Sequence, residues 1–546
     1  MLSVALLLAA IAPFVYGAPS VQLGKATVVG LSIPTLQQES FAGIPFAEPP
    51  LGSLRLKPPV LKATPDAGTF NATAFGDACL QLPQLGTSPP SMSEDCLTIN
   101  VLRPAGTPAG ANLPVLFWTY GGGFEAGFSE QFNASVIVAQ SVLRGTPLIY
   151  VNFNYRLGPL GFPQGQEAAD KGALNLALKD QLAALEWVQL NIGAFGGDKT
   201  KVTVFGESAG SIMTSILFLN SPLPKLARGA IFESGSQASA ALFFPQRRQS
   251  AWQNFVAGVS SCASLATSSN TFACLQSPNT STAEIFAGLT AAMEEATEEF
   301  PWDPVLDGPG GLIPELPSVL FARGEFARLP FMAGTNQDEG TIFTPQATNS
   351  TEEVAASFIA MNSPSVAPAL LNASIAKLLV LYPDDPALGS PFGTGNQTFG
   401  LSPQFKRAAA IATDLDFLSQ RRFFVDSASR LGVPTFAYLF TQPQVGVPPS
   451  LGVEHGSEIA FVYGAPADTS ASAVALARVM TDYWVSFATS LTPNDGKGIP
   501  RPEWTQHTPA NQAVIQLNGA NLTMIPDNFR LEQTNFFNSD PIIWRH

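Results

Sequence analysis

The segment Gly206-Glu207-Ser208-Ala209-Gly210 constrains this chain more than any other. It follows the β-rich run Lys201-Val202-Thr203-Val204-Phe205 and precedes Ser211-Ile212-Met213-Thr214-Ser215-Ile216-Leu217, which reads as a buried helix. A serine is thereby set on a strand-to-helix turn, a nucleophile elbow. The glycines two residues before and after it remove side chains that would clash as the chain reverses, and the hydroxyl is left exposed at the edge of the sheet. The competing reading is a tight turn with an idle serine, because G-x-S-x-G also arises by chance.

A serine nucleophile needs a general base, normally histidine, and the histidine needs a carboxylate to fix its tautomer and stabilise the imidazolium. The chain holds three histidines. His546 is the last residue and is expected to fray. His507 lies in Glu503-Trp504-Thr505-Gln506-His507-Thr508-Pro509, a polar, proline-flanked stretch that reads as surface. His455 lies in a glycine-bounded loop, Gly452-Val453-Glu454-His455-Gly456, after the strand Thr435-Phe436-Ala437-Tyr438-Leu439-Phe440, which suits a base carried on a loop above a rigid sheet. With the order serine, acid, histidine, the carboxylate falls between residues 208 and 455. The apolar strand from Pro330 to Gly334 runs into Asp338 and Glu339, and periodicity does not choose between these two neighbours. For the oxyanion, one donor is the amide of Ala209, and others are expected from Gly121-Gly122-Gly123, a glycine run directly after the strand Val115-Leu116-Phe117-Trp118-Thr119-Tyr120.

The 546 residues, 46% hydrophobic, can bury a large core. Length alone implies several domains, but no linker, charge block or repeat divides the sequence, so one catalytic domain with long insertions over residues 18–546 is the expectation. Residues 1–17 read as a secretory signal: an apolar stretch from Leu2 to Ala12, too short to span a bilayer, then Pro13 and the small-residue pattern Val15-Tyr16-Gly17-Ala18. Four cysteines form two close pairs, Cys79 with Cys96 and Cys262 with Cys274, as an oxidising compartment favours; such a bridge adds on the order of 3 kcal/mol. Other connectivities and buried free thiols stay open. Seven sequons, at Asn71, Asn133, Asn279, Asn349, Asn372, Asn396 and Asn521, are glycosylation candidates. A net charge of −14 argues against nucleic acid or an anionic membrane surface as partner, and no later stretch is apolar and long enough for stable membrane insertion.

Taken together, these residues resemble the type-B carboxylesterase/lipase family, which also contains the cholinesterases. The match spans nearly the whole mature chain and its pieces stand in family order: Phe41-Ala42-Gly43-Ile44-Pro45-Phe46-Ala47, Glu94-Asp95-Cys96-Leu97, the Gly121-Gly122-Gly123 loop, Asn154-Tyr155-Arg156, Phe195-Gly196-Gly197-Asp198, the elbow, Glu233-Ser234-Gly235-Ser236 and Val305-Leu306-Asp307-Gly308. The resemblance implies an α/β-hydrolase fold, a large and mostly parallel central sheet flanked by helices. It further implies Ser208 as nucleophile, Glu339 rather than Asp338 as acid, His455 as base, and Gly122, Gly123 and Ala209 as oxyanion donors. It also supports the disulfide pairing, and it calls for no metal and no organic cofactor. Tyr120 stands where many relatives carry histidine, a departure that leaves the backbone donors intact.

The implied activity is a secreted carboxylesterase or lipase acting on small-molecule or lipid esters of short or medium chain. In lipases of this family the segment between the first two cysteines forms a long lid. Here Leu80 to Asp95 is short and holds three prolines, Pro83, Pro89 and Pro90, which forbid a multi-turn helix and predict an open site with weak interfacial activation. The same loop has no aromatic residue to bind a quaternary ammonium, which disfavours a cholinesterase. The rivals are a feruloyl or other aromatic-acid esterase and, from a different class, a non-catalytic adhesion module, which would have lost the serine or histidine.

Overall fold

A computed structural model of the chain describes residues 17–83 and 88–546. The export signal read over residues 1–17 therefore lies, Gly17 apart, outside the described residues.

The chain is built on an eleven-stranded sheet. Its strands are β1 (Leu31–Ile33), β2 (Gln38–Pro45), β3 (Thr98–Pro104), β4 (Leu113–Thr119), β5 (Ile149–Phe153), β6 (Gly197–Glu207), β7 (Gly229–Glu233), β8 (Phe331–Asn336), β9 (Thr435–Phe440), β10 (Ala513–Leu517) and β11 (Thr523–Pro526). Across the sheet they run β11-β10-β9-β8-β7-β6-β4-β5-β3-β2-β1. All neighbours from β5 through β4 and β6 to β10 are parallel, and the antiparallel pairs are confined to the two ends. Strands β5, β7, β8 and β9 are buried at every residue. Helices cover both faces of a parallel sheet, so its middle strands are apolar along their length rather than alternating.

The helices that matter below are α1 (Leu176–Asn191), α2 (Ala209–Ile216), α3 (Thr351–Asn362), α4 (Pro368–Leu381), α5 (Pro403–Ala412), α6 (Ser419–Arg430), α7 (Ala471–Ser490) and α8 (Leu531–Ser539). Between α5 and α6 the helix widens into a π-helical turn over Thr413–Leu418. Helix α3 starts at a capping box in which the Ser350 hydroxyl accepts from the Glu353 amide and the Glu353 carboxylate accepts from the Ser350 amide, two otherwise orphaned donors satisfied at once. Apolar side chains fall into two clusters. The larger surrounds the sheet, and a smaller one joins α3, α4 and α5 to Phe537 of α8 and to Trp544. Both expected disulfides, Cys79–Cys96 and Cys262–Cys274, are formed. Among the described residues of the loop between Cys79 and Cys96 there is no helix. All seven sequon asparagines are exposed. Among the described residues no helix is long and apolar enough to cross a membrane.

Candidate active site

The C-terminal ends of β4, β6, β8 and β9 open toward one place, where open α/β sheets hold their ligands. Strand β6 ends at Glu207, and Ser208 follows with φ 53° and ψ −129°, a left-handed and sparsely populated conformation for a serine. The neighbourhood holds it there. The Ser208 amide donates to the Glu233 carbonyl of β7 at 3.0 Å, and its carbonyl accepts from Ile212 at 2.8 Å, starting α2. A side chain at Gly206 would press on the Thr119 carbonyl at 2.7 Å, and one at Gly210 would collide with the Thr119 and Tyr120 carbonyls, so both flanking glycines are required by β4 packing against the turn. The Gln181 amide of α1 ties this corner together, donating to Thr119 Oγ1 at 2.9 Å and to Thr214 Oγ1 at 2.8 Å.

After β4 the glycine run lies against the elbow: a Cβ at Gly121 would come within 2.8 Å of Ser208 Cβ. Gly122 and Gly123 adopt φ of 102° and 61°, and a side chain on either would collide, with the Ala126 carbonyl and the Phe300 ring respectively. Among the described residues the Gly122 and Gly123 amides donate no hydrogen bond, as donors kept for an oxyanion require. Gln81, from the loop between the first two cysteines, clamps the far end of this run through both the amide and the carbonyl of Gly127, at 2.9 and 3.0 Å. Tyr120 turns away from the site and stacks on Tyr155 with ring centroids 4.4 Å apart, so the absent histidine leaves no gap among the donors.

His455 Nδ1 lies 2.6 Å from Glu339 Oε2, and Glu339 Oε1 accepts the Asn336 amide at 2.7 Å at the end of β8. Asp338 faces elsewhere. Its carboxylate accepts from Ser390 Oγ and the Phe392 amide, both at 2.8 Å, and from the Val453 amide at 3.0 Å, fastening the histidine loop to the segment around Ser390. Of the two neighbours the sequence left open, the structure brings Glu339 to His455 and points Asp338 to another side. On its other edge, His455 Nε2 faces the elbow, 3.2 Å from Glu207 Oε1 and without an aligned hydrogen bond. Catalytic hydrogen bonds are often loose before substrate binds. Phe343 and Phe417 pack on the imidazole at 4.9 and 4.8 Å between ring centroids.

The sequence reading missed a set of buried carboxyls around this histidine. Glu207 is the variable residue of the elbow motif itself, and Glu458 stands three residues after His455, accepting from Ser234 Oγ at 3.0 Å and Asn336 Nδ2 at 2.6 Å. Glu233, buried at the end of β7, accepts from Trp484 Nε1 at 2.6 Å. Burial pushes the Glu207 carboxyl up to about 8, with His455 pulling it back in part. Burial pulls the imidazole down, but Glu207 and then Glu339 outweigh it and raise His455 to about 9. A glutamate adjoining the serine and another one helical turn past the histidine were the available signals.

Ser208, Ala209, Gly123 and Phe300 line a cavity of about 420 Å³. Two expectations fail here. His546 does not fray: it is buried, lines this cavity, has Nδ1 2.5 Å from Gln420 Nε2, and offers its carbonyl to Ser318 Oγ at 2.6 Å. Neither is His507 on the surface, since it is 1% exposed and its Nε2 lies 2.8 Å from Asp426 Oδ1, beneath the sheet end where its amide pairs with Thr435.

The chain is similar to known proteins over most of its length. The model of the "Carboxylesterase family" matches residues 17–537. The chain is 36% identical to Secreted lipase 1 of Botryotinia fuckeliana, over 94% of this chain and 91% of that one. It is 34% identical to Lipase 1 of Geotrichum candidum, over 92% of each. Among solved structures it resembles that of Aspergillus niger EstA with a TM-score of 0.82 and 25% identity, covering 97% of this chain and 99% of the other.

Proposed function

The chain belongs to the carboxylesterase family, and on that premise we propose that it is a secreted serine carboxylic-ester hydrolase that works through an acyl-enzyme on Ser208. In this reading His455 takes the proton of Ser208 as the hydroxyl attacks the ester carbonyl, while Gly122, Gly123 and Ala209 donate their amides to the tetrahedral oxyanion. Glu339 holds the imidazole tautomer and faces the positive charge it gains. His455 then protonates the departing alcohol, and water repeats the sequence to free the acid. Secretion is supported by the relatives named as secreted lipases, by the two disulfides and by seven exposed sequons as glycan acceptors.

One observation carries the reading: a serine in a strained, glycine-flanked turn at a cavity, next in the chain to Glu207, which lies 3.2 Å from an imidazole nitrogen whose opposite nitrogen is 2.6 Å from a buried carboxylate. A binding module has no use for that strain. Ser208→Ala and His455→Ala are each expected to fold normally and to lose turnover by several orders of magnitude, measured on tributyrin. Near wild-type rates in either variant would end the assignment. The absence of helix among the described residues of the loop after Cys79 supports an open site, so the wild-type rate is expected to saturate smoothly as tributyrin passes its solubility limit, with no jump when droplets form. An aromatic-acid esterase is the second reading, favoured by Phe300, Phe343 and Phe417 in the cavity wall and separated by rates on hydroxycinnamate methyl esters.

A further inference from the structure

The cavity beside Ser208 is mostly apolar, and the charged groups in its wall differ in their partners. Arg248, with Arg247 beside it, is paired with Glu298 and Asp303, so that patch is internally neutralised, and Glu299 is exposed to solvent. Asp416 is different. It lies on the π-helical turn Thr413–Leu418, directly before Phe417, whose ring packs on His455. Its carboxyl lines the cavity, half-buried, and among the described residues it makes no hydrogen bond and no ion pair.

A π-helical turn inserts one residue into a helix and turns side chains out of register, and such turns recur at functional sites. Here it is fixed from the catalytic side: Thr413 Oγ1 accepts the amide of Gly340, the residue after Glu339, at 2.8 Å. The turn therefore presents Phe417 to the base and Asp416 to the substrate cavity as one rigid piece. An aliphatic chain seated against Asp416 strips water from the carboxyl and returns nothing, whereas a chain carrying a hydroxyl replaces that water.

We propose that Asp416 is a specificity-determining residue, favouring esters whose acyl chain carries a hydroxyl group over the plain aliphatic analogue. This rests on the esterase reading above and narrows its substrate class. Burial, and then the neighbouring Glu299 carboxylate, push the Asp416 carboxyl up to about 8. That shift favours the protonated form, which both donates to and accepts from a neutral hydroxyl. A cationic group gains less from a neutral acid.

The test is the ratio of kcat/KM for methyl 6-hydroxyhexanoate to that for methyl hexanoate, in the wild type, Asp416→Asn and Asp416→Leu. A methyl ester leaves no alcohol chain to compete for the cavity. In Asp416→Leu the ratio is expected to fall about tenfold, the worth of one hydrogen bond, with the plain ester turned over faster than in the wild type. Asp416→Asn, which still donates and accepts, is expected to keep the ratio within about threefold. A ratio unchanged in Asp416→Leu overturns the proposal, as does an asparagine variant that falls as far as the leucine one. If Asp416→Leu does not fold, as judged by circular dichroism, Asp416→Ala takes its place with the same two readings. Hydrolysis of both esters that survives Ser208→Ala would bring down the reading of an acyl-enzyme on Ser208. An altered ratio is informative only where turnover depends on Ser208, so the two failures are distinguishable.

Discussion

At the scale of single residues, the chemistry turns on how one imidazole is charged. In the proposed mechanism attack by Ser208 needs neutral His455, yet Glu207 and Glu339 hold its proton on to about pH 9 against the pull of burial. The histidine and Glu207 titrate as a pair, so the acid limb of kcat/KM belongs to both. Activity is expected to climb through neutrality into the alkaline range. In Glu207→Gln the negative neighbour is gone, the imidazole loses its proton at lower pH, and the limb is expected to move to lower pH; a pH profile of kcat/KM checks this, and an unmoved limb would place Glu207 outside the titration. Gly123→Ala is expected to lower kcat by about 100- to 1000-fold, because the methyl group collides with Phe300 and disfavours φ of 61°. The elbow turn, the glycine run and the loop that carries His455 were readable because each obeys a local rule: a tight turn needs glycine, and a glycine-bounded segment after a strand is a loop. Misreading His507 and His546 has the opposite cause. Polar flanks and a terminal position say nothing of what packs over a residue, and both are covered by distant parts of the chain.

Elements show the same division. Strands β4, β6, β8 and β9 are read from apolar or β-rich runs, and three prolines announce the absence of helix among the described residues of the loop after Cys79. The π-helical turn was not legible, because Thr413–Leu418 continues the pattern of the helices on either side and is held by residues distant in sequence, among them Gly340, Tyr382, Arg530 and His455. Equally hidden was the anchor of the C-terminal region. Asp527, just after β11, pairs with Arg421, and at 2.7 Å with Arg422, on α6, and all three are buried. Burial alone would raise the Asp527 carboxyl, but Arg421 and then Arg422 pull it well below the usual carboxylate range. A depressed carboxylate contributes stability that is present above its unfolded value of about 3.9 and lost as pH falls below it. Asp527→Asn leaves two buried guanidiniums short of a partner. It is expected to cost about 3–5 kcal/mol near neutral pH in urea unfolding, and less at pH 3, where the unfolded chain's carboxyl is largely protonated while the native pair is still charged. An equal loss at both pH values would mean that packing, not charge, holds this corner.

For the whole molecule, the substrate cavity is where the two apolar clusters meet. Ala209 and Ile212 in its wall belong to the cluster around the sheet, while Val354, Phe358 and Trp544 belong to the smaller helical one. Apolar contact across an unfilled space is missing on both sides, so a chain lodged there adds cohesion between the clusters. A phosphonate that reacts with Ser208 places its alkyl chain in that space permanently. Compared with a methylphosphonate, a hexylphosphonate buries about five more methylenes, on the order of 4 kcal/mol at about 0.8 kcal/mol each. For a chain of this length that corresponds to a further rise in Tm of about 3 °C. Differential scanning calorimetry of the two adducts measures the difference directly, since the covalent bond to Ser208 is common to both. Equal Tm values would mean that the alkyl chain stays in solvent and that the clusters are already joined without it. A larger rise for the hexyl adduct makes acylation itself a structural event, in which the helical cluster is tied to the sheet for as long as the acyl-enzyme lasts.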